Sequence, residues 1–138
     1  MTREPIYAAL FALLSATAGL KTYSRRLKMW NDVTAPDQPA LFQVQKKESP
    51  KAVTNMPTIW TLHLDVYVYA FTGDKTTAPS QIINPILDAI TAALKPNGEN
   101  LTLGGLVQWC RISGEVTTDE GILGDQSVLI IPIEILTI

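Results

Sequence analysis

The last thirteen residues of the chain, Gln126 to Ile138, constrain its fold more than any other stretch. They read as a β-strand with apolar side chains on both faces, because successive side chains along a strand point to opposite sides. Leu129, Ile131, Ile133 and Ile135 share one side. Val128, Ile130, Pro132, Leu136 and Ile138 share the other, with Glu134 as the main polar interruption. A strand in a small two-layer domain normally buries one face and leaves the other wet. Two apolar faces call for a second cover, from another layer of the same chain or from another subunit. Pro132 has no N–H to give to a ladder, so it fits an edge strand or a gap in the pairing.

A chain of 138 residues is long enough for one domain with a real core. Hydrophobic residues make up 46% and charged residues 17%. The charged share is low against the roughly 25% of an average soluble domain, so exposed apolar surface is expected. The net charge of −2 argues against a protein that grips nucleic-acid phosphates over a broad basic face. Cys110 is the single cysteine and cannot form an internal disulfide, which fits a reducing compartment.

The N-terminal stretch has two readings. Arg3, the apolar run Ile6 to Leu14 and the small residues Ala16 to Gly19 have the outline of a secretory signal. The favoured reading is an amphipathic helix: Thr2 as cap, Glu4 and Pro5 in the first turn, Ile6, Leu10, Leu13 and Leu14 at helical spacing, and Gly19 as stop. Glu4 cancels Arg3, so the positive leader of a signal is missing. No apolar run reaches the roughly 18 residues of a spanning helix, and a soluble intracellular protein is expected.

A basic stretch follows, with Lys21, Arg25, Arg26 and Lys28, read as a solvated segment beside Trp30 in preference to a polyanion site. Asn31 to Pro39 is a turn-rich connector. Ala40 to Lys47 alternates as a half-buried strand, and Glu48 to Pro57 reads as a mobile loop. Thr58 to Phe71 is the clearest strand, with Trp60, Leu62, Leu64, Val66 and Val68 on one face and Thr61, His63, Asp65, Tyr67 and Tyr69 on the other. Fully extended it would span about 46 Å, against roughly 37 Å for the diameter of a domain this size. It must bend, or project as a hairpin over 40–71. Gly73 to Pro79 is a turn. A second helix runs to Leu94 and buries Ile83, Ile86, Leu87, Ile90 and Leu94. It is capped by Ser80, or by Asn84 with Pro85 in the first position. Leu106 to Val116 and Gln126 to Thr137 complete an order α-β-β-α-β-β. The fold class is α+β: a two-layer sandwich of a mostly antiparallel four-stranded sheet with helices on one face, in a single domain over 1–138.

Little in the sequence suggests catalysis. His63 and Asp65 share a strand face, as a base and its orienting carboxylate would, but neither a nucleophile elbow nor a cysteine partner accompanies them. One histidine and one cysteine cannot make a closed zinc site of the usual kind. Asp119, Glu120 and Asp125 flank glycines, yet their spacing is not that of a calcium-binding loop. Gly104-Gly105 lacks the lysine and the spacing of a phosphate-binding loop. No catalytic, cofactor-binding or metal-binding residue is assigned.

Several local patterns occur together. Trp30-Asn31-Asp32-Val33 leads into Pro39-Ala40-Leu41-Phe42 and Val44-Gln45. Asn84-Pro85-Ile86-Leu87-Asp88-Ala89-Ile90 is followed by Ala92-Ala93-Leu94. Thr102-Leu103-Gly104-Gly105-Leu106-Val107 precedes Gly114-Glu115, Asp119-Glu120-Gly121 and Ile131-Pro132-Ile133. In order and spacing, over nearly the whole chain, this resembles the tail terminator (tail completion) proteins of long-tailed bacteriophages and prophages. The resemblance implies a structural virion protein without catalysis or cofactor. Such a protein forms a hexameric ring that caps the tail tube, stops its polymerisation and offers a surface for joining the head. Its implied partners are further copies of itself, the tail tube protein and a head–tail connector, with DNA passing through unbound. The implied place is the virion tail, after assembly in the bacterial cytoplasm. Another neck or connector component is the alternative reading, and a small hydrolase or ligand-binding domain using His63 and Asp65 a more distant one.

The family marks its ring contacts poorly, so interface residues are expected from physics. They are Glu48, Lys51 and Met56 in the loop, the outward aromatics Tyr67 and Tyr69, Arg111 on the third strand, and Ile130 and Pro132 on the second face of the last. A ring that passes DNA needs a neutral or acidic lumen, and Asp119, Glu120 and Asp125, taken as one loop, are expected to line it.

Overall fold

In the computed structural model, which describes residues 1–73 and 76–138, the two-faced last strand is the strand around which the sheet is built. The elements in chain order are α1 (Arg3–Ser15), β1 (Thr22–Ser24), β2 (Ala40–Lys51), β3 (Ile59–Phe71), α2 (Ser80–Ala93), β4 (Val107–Ile112), β5 (Thr117–Leu123) and β6 (Gln126–Thr137). One-turn 3-10 helices cover Trp30–Asp32, Ala35–Asp37 and Pro96–Gly98. The sheet order is β1-β2-β3-β6-β4, with β5 also on β6. All pairings are antiparallel except β1 with β2.

The α+β class and the helices on one face agree with the sequence reading, but the sheet has six strands, not four. One addition is β1, three residues inside the basic stretch, which pair parallel with Ala40–Phe42. The other is β5, which lies beyond the expected strand 106–116; that strand itself ends early, at Ile112. Gly114 takes φ +107°, a backbone conformation that breaks an extended run, and a new strand starts at Thr117. Gly124 (φ +72°) and Asp125 then form the tight turn into β6.

Pro132 sits in a central strand, which corrects the edge alternative. On one side β6 meets β3 throughout; on the other, β4 covers Ile133–Thr137 and β5 covers Gln126–Ile130. Pro132 falls between these two ladders, where the 113–116 turn passes and no N–H is needed. Its carbonyl accepts from the Ser113 N–H at 3.0 Å.

The loop expected over Glu48–Pro57 is shorter than the sequence suggests, because β2 runs on to Lys51. A bulge at Lys46 bends the strand, and β2 and β3 extend slightly past β6, since Ile59 and Trp60 pair only with Lys51 and Pro50. Thr2 precedes α1 without a side-chain cap bond. Helix α2 starts at Ser80 with Pro85 inside it, so neither expected cap is used. The turn expected over Gly73–Pro79 includes residues 74 and 75, which lie outside the described residues.

Both helices lie on one face. Ile6, Tyr7, Leu10 and Leu14 of α1 and Ile83, Ile86 and Ile90 of α2 share a core with Leu62, Leu64, Val66 and Val68 of β3 and with Leu129, Ile131, Ile133 and Ile135 of β6. Each such side chain taken fully out of water contributes about 1.5–3 kcal/mol of gross stabilisation. The other face carries a smaller cluster. There Val33, with Trp30 beside it, covers Ala40, Phe42, Tyr69 and Val128.

Candidate functional site

The second sheet face is covered at one end and open at the other. At the covered end the connector of 30–37 folds back over the sheet, so part of the last strand's second face is closed by its own chain. Gln38 is buried there; its amide donates to the Val33 carbonyl at 2.9 Å and to Gln126 Oε1 at 2.7 Å. Tyr69 is buried in this cluster, donates its hydroxyl to the Lys28 carbonyl at 2.9 Å and packs on Phe42 with ring centroids 5.6 Å apart. Burial, before any charge effect, raises its pKa. Tyr69 is therefore not the outward aromatic that strand alternation suggests.

Towards the open end the register sets side chains in rows across four strands. Lys47, His63, Glu134 and Arg111 form one row; Val44, Asp65 and Pro132 form the next. Lys46 stands 3.9 Å from Asp65 Oδ2 and 5.5 Å from the Tyr67 ring centroid. The Tyr67 hydroxyl, with Asp65 in support, holds the Lys46 ammonium above its ordinary pKa. Arg111 is exposed, its guanidinium 3.8 Å from the Trp109 ring centroid. Ile130 and Pro132 are half-buried. His63 and Asp65 do share this face, but Cys110 faces the helices on the opposite side, and burial pushes its thiol up to about 12. Among the described residues, no group of three or more His, Cys, Asp or Glu is placed to hold a metal ion, and no helix is long and apolar enough to cross a membrane.

Glu48 is occupied within the chain, in a strand and not a loop. It accepts from Arg3 Nε at 2.6 Å and from the Tyr7 hydroxyl at 3.1 Å, which ties α1 to β2. Burial first, and Glu48 second, raise Tyr7 to about 12. Arg3 also lies 4.7 Å from the Trp60 ring centroid.

Lys51 and Met56 lie where the hairpin meets the end of the sheet. With Val53, Pro57, Ile59, Gln108 and Ile138 they line a groove of about 320 Å³. A second cleft of about 430 Å³ adjoins it through Ile138 and is lined by Met1, Thr2, Pro5, Ile6 and Leu106. Met56 and Ile138 are 64% and 66% exposed, and Val53, Leu106 and Met1 are exposed beside them. This apolar end surface is the main feature that sequence reasoning missed. Its residues come from four separate stretches, and only Lys51 and Met56 are among the expected interface residues.

Asp119, Glu120 and Asp125 do not share a loop. Asp119 and Glu120 belong to β5, their side chains on opposite faces of the sheet, and Asp125 sits in the turn that follows.

No family model and no curated protein matches the chain. Among solved structures, one protein whose name states no activity is similar over 100% of this chain and 97% of its own, with a TM-score of 0.52 and 17% identity. At that identity the likeness shows the fold alone.

Proposed function

We propose that this chain is the subunit of a homo-oligomeric ring, hexameric by the family resemblance, that caps a bacteriophage tail tube, ends its polymerisation and provides the head-joining surface. The observation that carries this reading is the apolar end surface of Met56, Val53, Leu106 and Ile138, which an isolated copy leaves in water. An assembly protein covers such a surface with a partner, here the tail tube protein or the head–tail connector. The helices-on-one-face fold is in keeping with the resemblance. In this reading the protein works in the virion tail after assembling in the bacterial cytoplasm. DNA passes through the ring without being gripped, and neither cofactor nor catalytic residue takes part.

Electron microscopy of particles made without this protein tests the proposal. Over-long tails are the expected result. Tails of normal length left unattached to heads would point instead to a neck or connector component, and normal particles would overturn both readings. Replacement of His63 by Ala is expected to leave particle assembly unchanged; a loss of assembly with the fold intact would revive a role for the His63–Asp65 pair.

A further inference from the structure

The two edges of the sheet carry opposite charge. Residues 21–28 and 40–51, which form and flank β1 and β2, hold seven of the chain's eleven Lys and Arg against one carboxylate, Glu48. Two of these cations have partners within the chain: Arg25 pairs with Glu4, and Lys46 lies beside Asp65. Lys21, Arg26 and Lys28, in the stretch that forms and flanks β1, are among those that remain exposed. At the other edge, residues 107–125 hold four carboxylates against Arg111. Glu115, Glu120 and Asp125 are exposed there.

The register puts the β1 end of the basic edge level with β5, whereas Lys47, further along β2, lies level with Arg111. Thr22, Ala40, Tyr69, Val128 and Asp119 form one continuous row from β1 to β5. Four strand spacings of about 4.8 Å separate the ends of that row by roughly 19 Å.

We propose that copies of this chain join head to tail, the acidic β5 edge of one against the basic β1–β2 edge of the next. The inference deepens the ring reading above and rests on it. A two-fold contact through either edge would set like charges against each other, whereas a head-to-tail contact pairs opposite ones and closes into a ring if the rotation allows. The joint runs through side chains and does not continue the sheet. The bulge at Lys46, Pro50 and the lysines of β2 are devices that keep an edge from adding a strand. Glu120 and Asp125 thereby become joint residues instead of a channel lining, and the apolar end surface stays free for the tube or connector.

Sedimentation velocity on the full chain tests this with variants at exposed positions whose folding is checked by circular dichroism. Lys21→Glu/Arg26→Glu/Lys28→Glu reverses the basic edge, Glu115→Lys/Glu120→Lys/Asp125→Lys the acidic one, and a third variant carries all six changes. The wild type is expected to assemble at ~0.01 M salt and to dissociate towards ~1 M, as the screening length falls from roughly 30 Å to 3 Å. Each single-edge variant should sediment as monomer, while their equimolar mixture and the six-fold variant should assemble again. A wild type that stays monomeric at low salt overturns the joint. So does assembly that persists in both single-edge variants, and in that case the ring reading stands while this joint falls. The tail-length experiment judges the ring reading separately.

Discussion

The two faces of this sheet are made of similar residues and have different fates. On the helix face, side chains of α1 and α2 close over β3 and β6 from end to end, and Leu62, Leu64, Ile131 and Ile135 have 1% exposure or less. On the other face a single connector covers one end. Phe42 and Val128 lie under it, whereas Pro132 and Leu136 are only partly buried. An apolar strand face is thus no direct measure of a missing partner: half of that face is closed by residues 30–37, and only the rest is open. The apolar end surface at the hairpin base is the stronger sign of an assembly partner.

Truncations along the two faces should rank by how completely each site is closed. Leu64→Ala, in the helix-face core, is expected to cost about 2–5 kcal/mol of unfolding free energy in denaturant titration. Val33→Ala should cost about 2 kcal/mol, from two buried methyl groups and a small cavity. A negligible effect there would mean that the connector does not hold the second face closed.

Tyr7→Phe removes the hydroxyl bond to Glu48 and should cost about 1 kcal/mol near neutral pH. It also changes the response to alkali. The folded-state pKa of Tyr7 is raised from about 10 to about 12, so its share of stability is complete below about 10 and is lost as the pH climbs through 12. Unfolding measured across that window should fall less steeply in Tyr7→Phe than in the wild type. Leu136→Ala, on the open half, should cost only about 1 kcal/mol of monomer stability, because its side chain is only partly buried. A loss as large as that of Leu64→Ala would mean that this half has a cover of its own, and would collapse the contrast.

Much of this contrast was legible in the sequence. The alternation of Leu129, Ile131, Ile133 and Ile135, the face of β3 from Leu62 to Val68 and the helical spacing of Ile83, Ile86 and Ile90 all found their places, because burial on one side enforces a clean period. Shorter features were not legible. Three residues of β1 carry no period, and their partner is parallel and distant in sequence. Strand β5 has carboxylates where a strand face should show its pattern, so it read as a turn. Trp30 and Val33 cover Phe42 through one-turn helices too short to leave a periodic trace. For the candidate surface the limit was tertiary: Met1, Met56, Leu106 and Ile138 meet only once the hairpin and the end of β6 are in place.

The break in the ladder at Pro132 has a practical consequence. The neighbours of β6 on that side are two separate strands, and the turn that links them crosses a position with no N–H to bond. Residues inserted after Glu115 would lengthen that turn without interrupting a strand pair. This makes the 113–116 turn a place for a small label that leaves the sheet intact and, through its neighbour Glu115, reports on the proposed joint.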